Sequence, residues 1–232
     1  MTYFDLHTHQ PKRHPEDVAV FCIDIRQPSF IATQESHLYA VGVHPWYIDA
    51  NNRQSTNLLF SKVRQSSSRK EVVVIGETGL DKKFAKSASD YLYQQEIFIS
   101  HIRLSEEVKK PLIIHCVKAW NDILQIHRSI QPSMPWIIHG FRGKELLARQ
   151  LMVAGLFLTF GSRYNREALQ ATWEQQRLLL ETDDKDIDIR DVYQQVANDL
   201  NITEQELSEA VETTITPFME ERIRNNDYIC NF

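Results

Sequence analysis

The sequence predicts an α/β fold, a single compact (β/α)8 barrel of the TIM type spanning residues 1–232. Three observations point to it. Eight short apolar, β-branched segments recur along the chain. Polar, helix-compatible stretches with apolar spacing separate most of them. Histidines and acids gather where the apolar segments end. Continuous apolar runs suit strands buried on both faces of a parallel sheet, and strand–helix alternation through eight repeats suggests a closed barrel. In such a barrel the C-terminal strand ends form the face that carries active sites.

The first strand is read over Tyr3–Leu6 and runs into His7 and His9, with Asp5 just behind them. Residues two apart on an extended strand share a face, so the two imidazoles can converge on one point. Asp5 is expected either to brace one of these histidines or to fill a polar barrel floor. The second strand is Val18–Ile25, and residues 10–17 before it are too few for a crossover helix. The third, Leu38–Val43, leads into "GVHP" with His44. The Ser66-Ser67-Ser68 run reads as a loop. The fourth strand, Val72–Ile75, precedes "GETGLD" with Glu77 and Asp81.

A helix is expected over Asp90–Val108, then a fifth strand over Leu112–Ile114 ending at His115. Asn121–Ser129 reads as helix, Trp136–Ile138 as the sixth strand ending at His139, and Lys144–Val153 as helix. Leu156–Phe160 is the seventh strand, Arg166–Trp173 a helix, and Leu178–Leu180 the eighth strand, followed by Glu181, Asp183 and Asp184. One or two closing helices are expected over about 203–225, with Thr203 as N-cap and Glu206 completing a capping box.

Composition narrows the function classes. Hydrophobic residues make up 42% and charged residues 25%, enough for a sizeable core. With 31 acids against 26 bases the net charge is -5, which argues against a protein that coats nucleic acid through clustered cations. Cys22, Cys116 and Cys230 are widely spaced with no C-x-x-C, so neither a disulfide framework nor a zinc ribbon is indicated. The start, MTYFDLHTHQPKRH, lacks the apolar core of a signal peptide, and no apolar run has the ~18 residues of a membrane span. The expectation is a cytoplasmic protein with no membrane association and no obligate protein partner.

Six strand-end residues form a metal-binding set. His7, His9, His115 and His139 offer imidazole nitrogens, and Glu77 and Asp183 offer carboxylates. Six N/O donors exceed what one zinc ion takes, so two divalent ions sharing a carboxylate is the natural count. Such a pair would bring the pKa of a trapped water towards neutrality and neutralise charge on phosphoryl or carbonyl oxygens. The mixed donors suit Zn, Mn, Fe or Co better than Ca, with Mg possible at an open site.

The order D-x-H-x-H, G-x-H-P, G-E-x-G-L-D, "KPLIIH", "IIHGF" and E-T-D resembles the TatD family, metal-dependent hydrolases with a TIM-barrel fold commonly described as deoxyribonucleases. The resemblance covers residues 4 to about 184. It implies that His7, His9 and Asp183 hold one ion and that Glu77 bridges to a second held by His115 and His139. It also implies that Asp183 takes a proton from the attacking water, making Asp183 and Glu77 the catalytic pair, on DNA ends or a nucleotide-like phosphoester, in the manner of a 3′ exonuclease. The chain departs from the family after His115, where Cys116-Val117-Lys118-Ala119 replaces an arginine-containing stretch. It departs again after Asp183, where a proline-bearing loop with an Arg-Asn pair is missing. Substrate contacts are expected from His44, Asp81, Lys118 and Arg142, with Arg163 as a further cation and Trp46 and Trp120 as stacking or packing rings. The competing readings are a metal-dependent hydrolase of another ester or amide, and a non-catalytic metal-binding barrel.

Overall fold

The computed structural model describes residues 1–27 and 38–224; Cys230 lies outside the described residues. The strands are β1 (Phe4–Thr8), β2 (Val18–Cys22), β3 (Leu38–Val41), β4 (Val72–Asp81), β5 (Leu112–Val117), β6 (Trp136–Ile138), β7 (Phe157–Phe160) and β8 (Leu178–Leu180). The helices are α1 (Arg53–Ser67), α2 (Ala88–Val108), α3 (Trp120–Ile130), α4 (Glu145–Val153), α5 (Arg166–Glu174), α6 (Ile189–Leu200) and α7 (Glu204–Arg224). No helix forms over residues 10–17, as expected. Among the described residues, no helix is long and apolar enough to cross a membrane.

The chain divides into two compact units, one of residues 1–21 and 139–224 with Leu38, the other of residues 22–27 and 39–138. In the first unit β1 pairs in parallel with β2, Phe4 opposite Val18, and β7 with β8, Leu158 opposite Leu178. An isolated parallel bridge between Thr8 and Asp183 continues β1 onto the chain just past β8. The order in this unit is therefore β7-β8-β1-β2. Tyr193 of α6 is fully buried; its hydroxyl accepts from the Phe4 amide at 3.1 Å and donates to the Phe4 carbonyl at 3.3 Å, fixing the helix to β1. The capping box of α7 forms as read: the Thr203 amide donates to the Glu206 carboxylate at 2.8 Å and the Glu206 amide to the Thr203 hydroxyl at 3.1 Å.

In the second unit β3, β4, β5 and β6 pair in parallel in that order. Every residue of β4 is buried. Asn52 and Ser87 cap the starts of α1 and α2 through their side-chain oxygens.

The structure corrects several sequence expectations. Ser66 and Ser67 are not in a loop; they are buried residues of the last turn of α1. The ammonium of buried Lys110 donates to the Ser67 carbonyl, and to the Arg69 carbonyl at 3.0 Å, closing that helix end from 43 residues away. The fourth strand does not stop at Ile75. It continues through Gly76 and Gly79 to Asp81, with a register shift against β5 between Ile75 and Thr78. Helix α6 occupies a stretch to which no element is assigned from the sequence. Its buried Ile189, Val192, Tyr193, Val196, Ala197 and Leu200 give it an apolar face at helical spacing.

Candidate metal sites

Each unit carries a cluster of the donor residues. In the first unit β1 carries His7 and places His9 two residues on, with ring centroids 5.1 Å apart. The Asp183 amide donates to the His7 carbonyl at 2.9 Å and the His9 amide to the Asp183 carbonyl at 3.0 Å. Those two backbone bonds bring residues 176 positions apart in sequence side by side. Asp183 Oδ1 then stands 3.5 Å from His7 Nε2 and 4.0 Å from His9 Nε2. Asp183 adopts φ +57°, an uncommon conformation for a residue with a side chain.

Asp5 sits beneath this cluster and is buried. Its carboxylate accepts from the Thr182 hydroxyl at 2.6 Å, the Thr182 amide at 3.1 Å and the His7 amide at 3.4 Å. Of the two sequence readings of Asp5 the bracing one fits, because each bond holds the backbone beside His7 or Asp183. His139 packs against His7 with ring centroids 4.3 Å apart, and its Nδ1 lies 3.9 Å from Glu181 Oε1. His139, Glu181 and Asp183 also form a set whose ligand atoms lie within 4.8 Å of one another. Glu181 is the donor that the sequence reading noted at a strand end but left out of the ligand set. It stands two residues before Asp183, the same parity that pairs His7 with His9. Burial pushes the carboxyls of Asp5 and Glu181 up to about 7, and the Asp183 charge adds to both shifts.

In the second unit Glu77 and His115 come together because β4 and β5 run very close. Gly79 has φ +142°, and a Cβ there would lie 2.1 Å from the His115 carbonyl oxygen. His115 Nδ1 is 2.9 Å from Glu77 Oε1, and its Nε2 is 3.4 Å from Asp81 Oδ2. A histidine that gives one ring N–H to a carboxylate keeps the other nitrogen's lone pair for a cation. His115 has a carboxylate on each ring nitrogen, Glu77 on Nδ1 and Asp81 on Nε2, so a proton held on Nε2 by Asp81 would leave Nδ1 for a cation on the Glu77 side.

His44 Nε2 is 3.1 Å from Glu77 Oε1 and 3.3 Å from His115 Nδ1. Distance alone would make it a third ligand. Its Nδ1, however, accepts the Trp46 amide proton at 3.1 Å, so the neutral ring carries its proton on Nε2. His44 therefore presents an N–H to the Glu77 side, a donor for a carboxylate or an incoming phosphate oxygen rather than a lone pair for a metal. Burial opposes the charged form of Asp81, but the hydrogen bonds from Trp46, the Phe84 amide and His115 outweigh it and hold the carboxyl below its usual range.

These sets fit divalent cations. Tetrahedral ligands about 2.1 Å from one ion stand roughly 3.4 Å apart, and the His7–Asp183 separation of 3.5 Å matches. The Asp183 charge beside the buried carboxyls of Asp5 and Glu181 is what a held cation would offset. Lys118, Arg142 and Arg163 are exposed on the loops after β5, β6 and β7, and Trp120 opens α3, half-buried.

A family model described as TatD related DNase matches residues 29–218. Over 151 residues the chain is 33% identical to the uncharacterized metal-dependent hydrolase YabD of Bacillus subtilis, covering 62% of this chain and 57% of that protein. It is 31% identical over 163 residues to the 3'-5' ssDNA/RNA exonuclease TatD of Cronobacter sakazakii, 67% of this chain and 60% of that protein. The chain thus spans about half the length of the curated relatives it matches, with 57, 47 and 46% of three of them covered. The crystal structure of YjjV, a TatD homologue from Escherichia coli, superposes with a TM-score of 0.75 at 16% identity, covering 93% of this chain and 97% of that one. A hydrolase of the TatD family from Entamoeba histolytica gives 0.73 at 17% identity with the same coverage. The likeness shows the fold class to be the expected one, the TIM-type α/β barrel of eight parallel strands.

Proposed function

The chain belongs to the TatD-related DNase family, and from that premise we propose that it is a divalent-metal-dependent phosphoester hydrolase acting on DNA ends. The first unit's His7, His9 and Asp183, with His139 and Glu181 beside them, would hold one ion. The second unit's Glu77 and His115 would hold another, each ion being Mg, Mn or Zn. Cations held there supply a water of lowered pKa and offset the charge that builds on the phosphoryl oxygens. Asp183, the carboxylate common to the His7–His9 and the His139–Glu181 sets, takes the proton of the attacking water. Its left-handed backbone aims the carboxylate while the bonds to His7 and His9 keep it from turning away. Asp5 holds the strand backbone through Thr182, and Asp81 fixes the His115 ring with its lone pair on the Glu77 side. The Nε2 proton of His44 binds a phosphate oxygen. We place the activity in the cytoplasm, where buried Cys22 and half-buried Cys116 stay as thiols.

The observation that supports this most is the meeting of His7, His9 and Asp183, joined by backbone bonds across most of the chain. A substrate panel tests it, with 3′- and 5′-labelled single- and double-stranded DNA, RNA, a plain phosphodiester, and an amide and lactone set, each with Mg, Mn and Zn. Shortening of single-stranded DNA from its 3′ end is expected. Turnover confined to the small esters or amides would transfer the site to another hydrolase class, as the altered loops after His115 and Asp183 would allow. Calorimetric titration of chelator-stripped protein with Mn should register up to two ions, and no binding by folded protein refutes the reading. Asp183→Asn should cut hydrolysis by about 10²- to 10⁴-fold without unfolding the chain; full activity in that variant would remove Asp183 as the base.

A further inference from the structure

Two large aromatic rings stand in solvent beside the second-unit cluster. Trp46 is 51% exposed and Phe84 41% exposed, and their rings stack with centroids 5.6 Å apart at 22°. Exposed apolar side chains are common singly, but these two rings stand together and stack. They are also not loose. The Trp46 indole N–H donates to Asp81 Oδ2 at 2.8 Å, while Asp81 Oδ1 accepts the Lys83 and Phe84 amides at 2.8 and 2.9 Å. Asp81 is itself buried, its amide bonded to Gln94 Oε1 at 2.9 Å, and Gln94 Nε2 donates to the Pro45 carbonyl at 3.4 Å, next to Trp46. One carboxylate therefore fixes both aromatics and, through its 3.4 Å contact with Nε2, the His115 ring.

The pair is close to the chemistry. The Trp46 ring meets His44 edge-on at 4.8 Å and His115 at 6.0 Å between centroids, so one ring's breadth separates it from the Glu77 donors. A hollow of about 240 Å³ has Trp46, Phe84, Lys86 and Asp90 in its lining. A rigid aromatic surface loses little entropy on binding, and a flat π-face accepts any base without reading its edges.

We propose that the Trp46–Phe84 pair is a stacking platform for a substrate nucleobase, held in register with Glu77 and His115 by the buried carboxylate of Asp81. The inference rests on the phosphoester reading, because the base it takes belongs to the nucleotide whose phosphate meets that cluster. Lys86, exposed on the rim, is placed for the next phosphate along the strand.

The test uses single-stranded oligonucleotides that are identical except for an abasic residue moved through the last three nucleotides. Wild-type protein should cleave the fully based strand with kcat/KM about 5- to 150-fold above the worst abasic position. Trp46→Ala should collapse that ratio to within about twofold, Trp46→Phe should retain most of it, and Phe84→Ala should reduce it. A ratio that persists in Trp46→Ala, or a wild type indifferent to the abasic residue, overturns the platform; so does an equal loss on both strands, the mark of a structural role. Binding without turnover separates the two levels of the argument. Base-proton NMR shifts of a deoxynucleoside monophosphate should move upfield with wild-type protein and not with Trp46→Ala. Shifts without any DNA cleavage would sink the hydrolase reading and leave the platform. Cleavage with neither shift nor ratio would sink the platform and leave the hydrolase.

Discussion

Protonating His101 removes the hydrogen bond by which its ring holds the Val43 amide, just before His44. The ring is fully buried in α2, its Nδ1–H donates to the Ile97 carbonyl at 2.8 Å, and Nε2 accepts the Val43 amide at 3.0 Å. Phe60 covers one edge at 4.9 Å. A second ring proton would face the Val43 N–H head-on, in an apolar site with no counter-charge among these contacts. Burial accordingly pushes the pKa down from 6.5 to about 4. The unfolded chain binds a proton near pH 6.5 and the folded one only near 4, so the unfolded state holds more protons throughout that window. Stability is complete above pH 6.5 and falls as the pH drops towards 4. The gap of about 2.5 units at 1.36 kcal/mol each gives a loss of roughly 3 kcal/mol.

Urea unfolding at pH 7, 6, 5 and 4, on wild type and His101→Gln, measures this directly. A glutamine amide can accept from Val43 and donate to Ile97 without titrating. The wild type should lose about 3 kcal/mol more than the variant between pH 7 and 4. Parallel pH profiles would refute the argument, as would an NMR titration that finds the His101 ring protonating near 6.5.

Gly79→Ala should cost more than the 1–3 kcal/mol of a strained backbone, since its Cβ would meet the His115 carbonyl at 2.1 Å; a melting temperature within about 2 °C of wild type would show that β4 and β5 can part freely. Lys110→Met should destabilise by about 3 kcal/mol through the two carbonyls left without their donor. Amide exchange should then quicken first in the last turn of α1, and unchanged exchange there would mean that the ammonium does not hold that helix end.

Most of the strands, and the residues at their ends, could be read directly because the information is local. Such signals need no partner: in "PLIIHC" and "WIIHG" the apolar run marks the strand and the histidine marks its end. The elements that were not legible depend on distant residues. Helix α1 is polar along most of its length, and its final turn is closed by Lys110. The extension of β4 was hidden because Gly76 and Gly79 resemble turn residues, whereas here they permit a close approach between strands. Helix α6 is a different case: its apolar spacing was available in the sequence, and only its place after an unfamiliar loop obscured it.

For the site, residue type suggested donors, but hydrogen bonds decide which atom of each is available. His44 and His115 both stand beside Glu77, and the sequence cannot distinguish them chemically. The Trp46 amide on His44 Nδ1 makes one a proton donor; the other has a carboxylate on each ring nitrogen, and Asp81 on Nε2 is what would free Nδ1 for a cation. The same division recurs in the first unit, where Asp5 stands outside the donor set but fixes the backbone of His7 and of Thr182, the neighbour of Asp183. Each unit thus pairs its donors with a buried aspartate close by in sequence, Asp5 two residues before His7 and Asp81 four after Glu77. In D-x-H-x-H and G-E-x-G-L-D, the leading and trailing aspartates supply hydrogen-bonded supports, and the histidines and glutamate between them are the candidate donors. A ligand set copied onto another strand without its aspartate would keep the residue types while losing the ring orientations and backbone positions on which the donors depend.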